Sequence, residues 1–317
     1  MSKLRHKSFK QILGENRIYL ILACVFAVMS LIAPRFLTMT NVESILKLMS
    51  LYTLPAVGFT LVMLSGKLDL SIGSIVTLGG VITIGLQPEY GWTVSISSAI
   101  LAGSLVGLFN GIFVAKVKVD SFIVTLASMI IVQGLVLKLC DGGTFTVQDF
   151  TLSNIIEKTV LCVFSPRILI TIGLVLLFEL LLKQTRPGRG FYAVGANPSM
   201  AWHAGLSVDR YVISAFVLSG LLSGLGGSLF SITINSAPPT MGATSLIIVV
   251  AATIIGGTSM SGGKGSVLKT MVAIFMLSTL FNGLSCMGAG YEIRQMASGI
   301  VLAAVIMYDA YLTVLKD

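Results

Sequence analysis

The sequence predicts an all-α integral membrane protein of about ten transmembrane helices, on three observations. Hydrophobic residues make up 55% of the chain and charged residues 11%, and the mean hydropathy is +0.95. A soluble domain carries roughly 25% charged residues, so polar surface is too scarce here to cover a water-exposed globule, and lipid is the solvent for most of the chain. Apolar segments recur at membrane-crossing length from end to end. The Lys and Arg residues, finally, fall unevenly between alternate connections.

Crossing roughly 30 Å of hydrocarbon takes about 20 helical residues, fewer inside a bundle. The segments that qualify are 18–33, 42–64, 70–86, 94–115, 121–139, 167–183, 211–234, 246–256, 267–285 and 295–314. A signal peptide would also open on a basic stretch and an apolar run. Ala33-Pro34-Arg35 makes a poor cleavage site, however, and further spans follow at once, so 18–33 reads as a retained first span. The eighth segment is too short to cross alone. It either extends into its glycine-rich end or is a broken helix whose freed backbone groups face protein or water.

Ten spans put both termini on one side, and the cation count says which. Fifteen of the 21 Lys and Arg residues fall on the side of the termini and six on the other, which makes the termini cytosolic. Residues 1–17 are then a cytosolic basic tail, 140–166 an extracytoplasmic loop and 184–210 a cytosolic loop. No domain boundary is visible, so residues 1–317 read as one transmembrane unit. The net charge of +8 reflects these loops. It forms no basic stripe with interleaved aromatics, and nucleic acid is not an expected partner. Leu108-Phe109-Asn110-Gly111 and Leu280-Phe281-Asn282-Gly283 fall on oppositely directed spans five apart, as two inverted five-helix repeats require; a shared tetrapeptide also arises by chance.

Catalysis finds no support. His6 and His203 have no partner at nucleophile or metal spacing, and paired carboxylates are absent. Cys24, Cys140, Cys162 and Cys286 lack metal-ligand spacing; Cys140 and Cys162 share the outer segment, where a disulfide is one option. Asp69, Glu179 and Asp309 all fall toward the cytosolic ends of their spans, and Glu179 stands four residues before Lys183 as a plain ion pair. An ion-coupled transporter needs titratable groups deep in the bundle, so the energy for any transport is expected from another subunit.

Three glycine-rich stretches sit at the predicted cytosolic face. In 65–74, Asp69 before Leu70-Ser71 marks a helix N-terminus, read either as a polar gate or as a capped turn. In 256–266, an apolar run precedes Gly256-Gly257 and a helix follows. The P-loop pattern fails there, because Gly265 follows Lys264 and the glycine spacing is one residue too long; this loop does not bind ATP. The third, 185–210, holds Arg186, Arg189 and Arg210. Its Asn197-Pro198 pair predicts a short helix running to about Ala204 before Gly205. A helix below about 12 residues is marginal alone, so its own protein or a partner groove must hold it. Trp202 and His203 suit a docked surface.

The motifs SGKLDLSIGS (65–74), GLFNGIFVAK (107–116), SFIVTLAS (121–128), TRPGRGFYAVGANPSMAWHAGLSV (185–208), IIGGTSMSGGKGS (254–266) and FNGLSCMG (281–288) resemble permease subunits of bacterial ABC importers. The match is to the ribose-type sugar branch, which includes autoinducer-2 systems. Branched-chain amino-acid permeases are similar around 254–266, but Asp69-Leu70-Ser71 has the sugar-branch form. The resemblance implies a multi-pass protein of the bacterial inner membrane that works with a second permease chain, identical or sister, an ABC ATPase subunit and an extracytoplasmic substrate-binding protein. ATP and Mg²⁺ would bind the ATPase, leaving this chain without a cofactor. The 185–208 segment would be the coupling loop, with Arg186, Gly188, Arg189, Tyr192, Ala193, Gly195, Asn197, Ala201 and Gly205 on the family motif. Ala196, Lys67 and Ser121 depart from the usual Gly, Gly and Pro, and Trp202 and His203 are bulkier than usual. Asp69, Ser71, Asn110, Thr125 and Asn282 are the polar candidates for a translocation path or gate; hydrogen bonding between helices is the plainer reading of each.

Overall fold

A computed structural model describes residues 17–160 and 162–290, together with scattered positions between 292 and 307. The basic tail up to residue 16 and most of the predicted last span, 295–314, lie outside the described residues.

The chain is helical almost throughout. Its elements are α1 (Arg17–Ile32), α2 (Met39–Leu64), α3 (Ile72–Ile112), a π-helical turn (Phe113–Val117), α4 (Ser121–Leu139), β1 (Phe145–Thr146), α5 (Thr151–Glu157), α6 (Pro166–Gln184), α7 (Arg186–Ala196), α8 (Pro198–His203), α9 (Val208–Ile234), β2 (Ser236–Ala237), α10 (Met241–Ile255) and α11 (Val267–Cys286). Among the described residues, five helices are long and apolar enough to cross a membrane, or six if α6 and α7, bent by 73°, are taken as one.

One of the five, α3, is two segments in one. Its 41 residues would reach about 61 Å at 1.5 Å per residue, twice the hydrocarbon thickness. Gly91 interrupts it with φ 71 and ψ 176, a conformation open to glycine. The two arms fold back on each other. A Cβ on Gly79 in the first arm would sit 2.5 Å from the Gly224 carbonyl oxygen, and one on Gly224 would sit 2.6 Å from the carbonyl of Ala99 in the second. Both arms therefore lie against α9. The same backbone approach recurs at Gly103 with Gly220 and at Gly107 with Phe216, whose carbonyl oxygen would be 2.2 Å from a Cβ. Small residues at such crossings let helices meet main chain to main chain, which is how packing is gained where lipid offers no hydrophobic drive.

The segment expected at 246–256 begins earlier, at Met241, which gives α10 its 15 residues. The segment 140–166 carries secondary structure of its own. It folds as β1 and α5, and β1 pairs antiparallel with β2, Phe145 opposite Ala237. Cys140 is buried and Cys162 exposed, and both are free thiols. The shared tetrapeptides fall in unlike surroundings: Asn110 is fully buried, Asn282 half-buried.

Candidate functional site: the glycine-rich end of the bundle

The three glycine-rich stretches meet at one end of the bundle. Thr185 opens α7 by accepting a hydrogen bond from the Gly188 N–H at 3.0 Å. Three glycines disfavour an isolated helix of this length, but here each is required by a neighbour. A Cβ on Gly188 would lie 2.0 Å from the Leu181 carbonyl oxygen, one on Gly190 2.2 Å from the Tyr211 ring, and one on Gly195 1.8 Å from the Leu64 carbonyl oxygen. Tertiary fit thus makes a helix where local propensity predicts a loop.

α8 follows after a single residue. Asn197 Oδ1 accepts from the Met200 N–H at 3.0 Å and Pro198 is the first helical residue, as the sequence predicts; the helix ends at His203. Gly205 turns the chain away at φ +83. Ala201 is buried against the bundle, whereas Arg186, Arg189, Asn197 and His203 are exposed and Tyr192 is half-buried. Met200 is 69% and Trp202 66% exposed, and the Trp202 and His203 rings meet edge to face at 5.0 Å. Beside them lies an open cavity of about 620 Å³, with Lys118, Pro198, Trp202 and Asp209 on its wall. Lys118 Nζ pairs with Asp209 Oδ1 at 2.7 Å across it. The segment thus presents two arginines on α7 and, on α8, an imidazole beside the exposed Met200 and Trp202, with Ala201 buried on the opposite face.

Behind that surface is a buried polar hub. Asp69 Oδ1 accepts from Ser71 Oγ at 2.5 Å and from the Ser71 N–H at 3.0 Å, and Oδ2 accepts from Ser219 Oγ at 2.9 Å. Asn110 Nδ2 donates to Ser71 Oγ at 2.9 Å, and Asn110 Oδ1 accepts from Ser128 Oγ. Thr125 Oγ1 accepts from the Leu70 N–H at 3.1 Å. Ser121 Oγ accepts from the Leu68 N–H at 3.2 Å, a bond that a proline at this position has no hydroxyl to make. Asp69, Ser71, Asn110, Thr125 and Ser219 are all fully buried. Three of the five path or gate candidates, Asp69, Ser71 and Asn110, therefore bond in a chain, and Thr125 holds the backbone of the same turn at Leu70. Asn282 stands apart, accepting a weak contact from Cys286 Sγ at 3.7 Å.

Sequence reasoning missed two partnerships. Glu179 is more than the mate of Lys183, which it holds at 2.5 Å. Its carboxylate also accepts from Ser266 Oγ at 2.9 Å and the Leu268 N–H at 3.2 Å, at the dipole-positive start of α11. At the opposite end of the bundle, Arg167 is fully buried. Its guanidinium donates to both Glu157 oxygens, at 2.5 and 3.2 Å, to the Lys47 carbonyl at 3.0 Å and to Ser50 Oγ. Burial pushes the Glu157 carboxyl up, but the Arg167 hydrogen bond and charge, with help from Thr233 and Lys47, bring it below the ordinary range. In the sequence Arg167 was only one of six outer cations; its position one residue after the helix-starting Pro166 was the available signal.

An apolar cleft of about 460 Å³ lies among the first arm of α3, α4 and α10. Met129, Ile130, Leu137 and Leu246 line it, with Ser74 and Gln133 as polar members. Two polar side chains are too few to replace the water around a polyhydroxylated solute.

A family model described as branched-chain amino acid transport system / permease component matches residues 41–308. The chain belongs to this permease family. The ribose import permease of Haemophilus influenzae is 31% identical to it over 94% of both chains. That of Bacillus subtilis is 32% identical, covering 89% of this chain and 88% of its own. The L-arabinose transport system permease of Escherichia coli is 30% identical, covering 96% and 93%. No solved structure matches the chain. Membership of the family, with several apolar helices, makes this permease a multi-pass inner-membrane transport component rather than a catalytic one.

Proposed function

We propose that this permease carries a sugar or sugar-like solute inward, driven by ATP hydrolysis on a separate subunit that docks against α7 and α8. The observation that carries the reading is the pairing of full-length similarity to ribose and arabinose permeases with a short capped helix whose outer face is left bare. A bare Trp beside arginines is the composition of an interface anchor. Arg186 and Arg189 supply charge to the contact. Met200, Trp202 and His203 supply the exposed knob, and Gly188 and Gly205 set the backbone that presents them.

ATP and Mg²⁺ belong to the partner ATPase. The succession of apolar segments favours ten crossings, with 295–314 as the tenth. The cation bias puts the glycine-rich end in the cytosol, together with both termini, and turns 140–166 toward an extracytoplasmic binding protein. A second permease chain completes the assembly. The Asp69, Ser71, Asn110 and Thr125 hub acts as a gate latch in this reading, its hydrogen bonds exchanged as the permease alternates between outward and inward states.

The test is uptake into vesicles that hold the chain, its ATPase and its binding protein. Ribose or arabinose uptake that needs ATP supports the reading. Replacing Arg186 and Arg189 with Glu should strip the ATPase from the purified permease. The family description favours a second reading, import of branched-chain amino acids, which leucine uptake by the same vesicles would reveal. Transport by the chain alone under an ion gradient overturns both.

A further inference from the structure

Phe191 and Val194 pack α7 on the bundle through side chains, but where α7 meets residues 64–66 and 262–263 the contact is made by main chain, and it joins three separate segments. The Gly263 N–H donates to the Leu64 carbonyl oxygen at 3.0 Å. A Cβ on Gly195 would fall 1.8 Å from that same oxygen and 2.6 Å from the Gly263 nitrogen. A Cβ on Gly262 would meet the Gly66 Cα at 2.7 Å and the Gly195 carbonyl oxygen at 2.9 Å, and one on Gly263 would meet Ala196 at 2.7 Å. Gly66, Gly262 and Gly263 all take left-handed φ values, +75, +83 and +70. Side chains brace the seam from both sides: Tyr192 Oη donates to the Gly265 carbonyl at 3.2 Å, and Glu179 of α6 holds Ser266 and Leu268.

A contact between side chains can absorb a shift by changing rotamer. A contact between backbones has no such slack, and close-packed interiors transmit strain. Leu64 and Gly66 lead within a few residues to Asp69, and Gly263 leads to the start of α11. Movement of α7 has therefore two stiff routes inward, one to the buried hub and one to α11.

We propose that Gly195 is the positioning residue of a rigid weld, which carries displacement of α7 undamped into the Asp69 turn and into α11. The proposal rests on α7 and α8 being the docking site of an ATPase. Gly195 touches neither solute nor ATPase in this scheme; it acts by letting the Leu64 and Gly263 main chains close on α7.

The test uses the complete transporter in vesicles, reading ATPase retention, ATP hydrolysis and uptake separately. In Gly195→Ala the added methyl pries the seam open. Retention and hydrolysis should persist while uptake per ATP falls about tenfold or more. Gly173→Ala in α6, where a Cβ meets nothing within 4 Å, should leave all three readouts unchanged. Normal uptake per ATP in Gly195→Ala overturns the proposal, and so does loss of ATPase retention, which would make Gly195 a docking residue instead. If Gly195→Ala does not fold, Tyr192→Phe decides, because it removes the brace to the Gly265 carbonyl without adding an atom to the seam. Uptake per ATP should then fall about threefold with retention and hydrolysis unchanged, and unchanged uptake per ATP overturns the weld. Failure of the wild-type chain to retain any ATPase is a different result, since it removes the docking role itself.

Discussion

Ser219 Oγ donates to Asp69 Oδ2 at 2.9 Å although the two residues are 150 apart in sequence. The bond ties the middle of α9 to the turn that precedes α3, and both residues are fully buried. Removing the hydroxyl leaves a buried carboxylate oxygen without this donor, which costs about 1–3 kcal/mol. Ser219→Ala should therefore lower the thermal unfolding midpoint of the detergent-solubilised permease. An unchanged midpoint would mean that Asp69 finds another donor and that the hub is looser than its geometry.

The backbone seam between α3 and α9 predicts opposite outcomes for two glycines. A Cβ on Gly220 would lie 2.1 Å from the Gly103 carbonyl oxygen, whereas one on Gly134 in α4 meets nothing within 4 Å. Gly220→Ala should destabilise by about 1–3 kcal/mol through overpacking. Gly134→Ala should be neutral or stabilising by about 0.5–1 kcal/mol, because alanine loses less backbone entropy in a helix. Unfolding midpoints of the two variants, measured side by side, check the contrast.

Glu157 sets a pH dependence at the opposite end of the bundle. Its carboxyl sits below a glutamate's ordinary 4.5 in the fold, because Arg167 outweighs the effect of burial. A depressed carboxyl contributes stability that is present above the unfolded value and lost as pH falls through the folded one. The midpoint of the wild-type permease should exceed that of Glu157→Gln at neutral pH. The gap should narrow only below about 4.5. A gap that closes between pH 6 and 8 would assign the effect to another group.

Trp202 should separate docking from stability. At 66% exposure it contributes little to the fold, so Trp202→Ala should shift stability by less than about 0.5 kcal/mol. As an interface anchor it should weaken ATPase binding by about 2 kcal/mol, roughly 30-fold. Titration of the purified ATPase against wild-type and variant permease reads both the affinity and, by its plateau, the folded fraction.

How far the sequence reached depended on whether the signal was local. The Asn197 cap and Pro198 start announced α8 because a cap is made within four residues. α7 is not legible as a helix in sequence because Gly188, Gly190 and Gly195 argue against one; Gly190 and Gly195 are explained by distant neighbours, Tyr211 and Leu64, and Gly188 by Leu181 near the end of α6. The start of α10 at Met241 is not legible in sequence because Gly242 weakens the pattern there, yet Gly242 fits against Gly73. Asp69, Ser71, Asn110 and Thr125 each stand out in sequence only as polar residues in apolar surroundings. Nothing in their spacing says that Asp69, Ser71 and Asn110 bond in a chain, or that Ser219 and Ser128 complete it.

The sequence by itself determined the class of this permease, its succession of apolar segments and the three glycine-rich stretches, because composition, hydropathy and capping are properties of neighbouring residues. Only the tertiary structure decided that those stretches touch, that α3 turns back at Gly91, and that Arg167 and Glu179 are shared between elements. A glycine looks the same in a flexible loop and in a seam where two main chains meet. Which it is depends on what stands 2 Å from its missing Cβ, and that neighbour arrives from elsewhere in the chain.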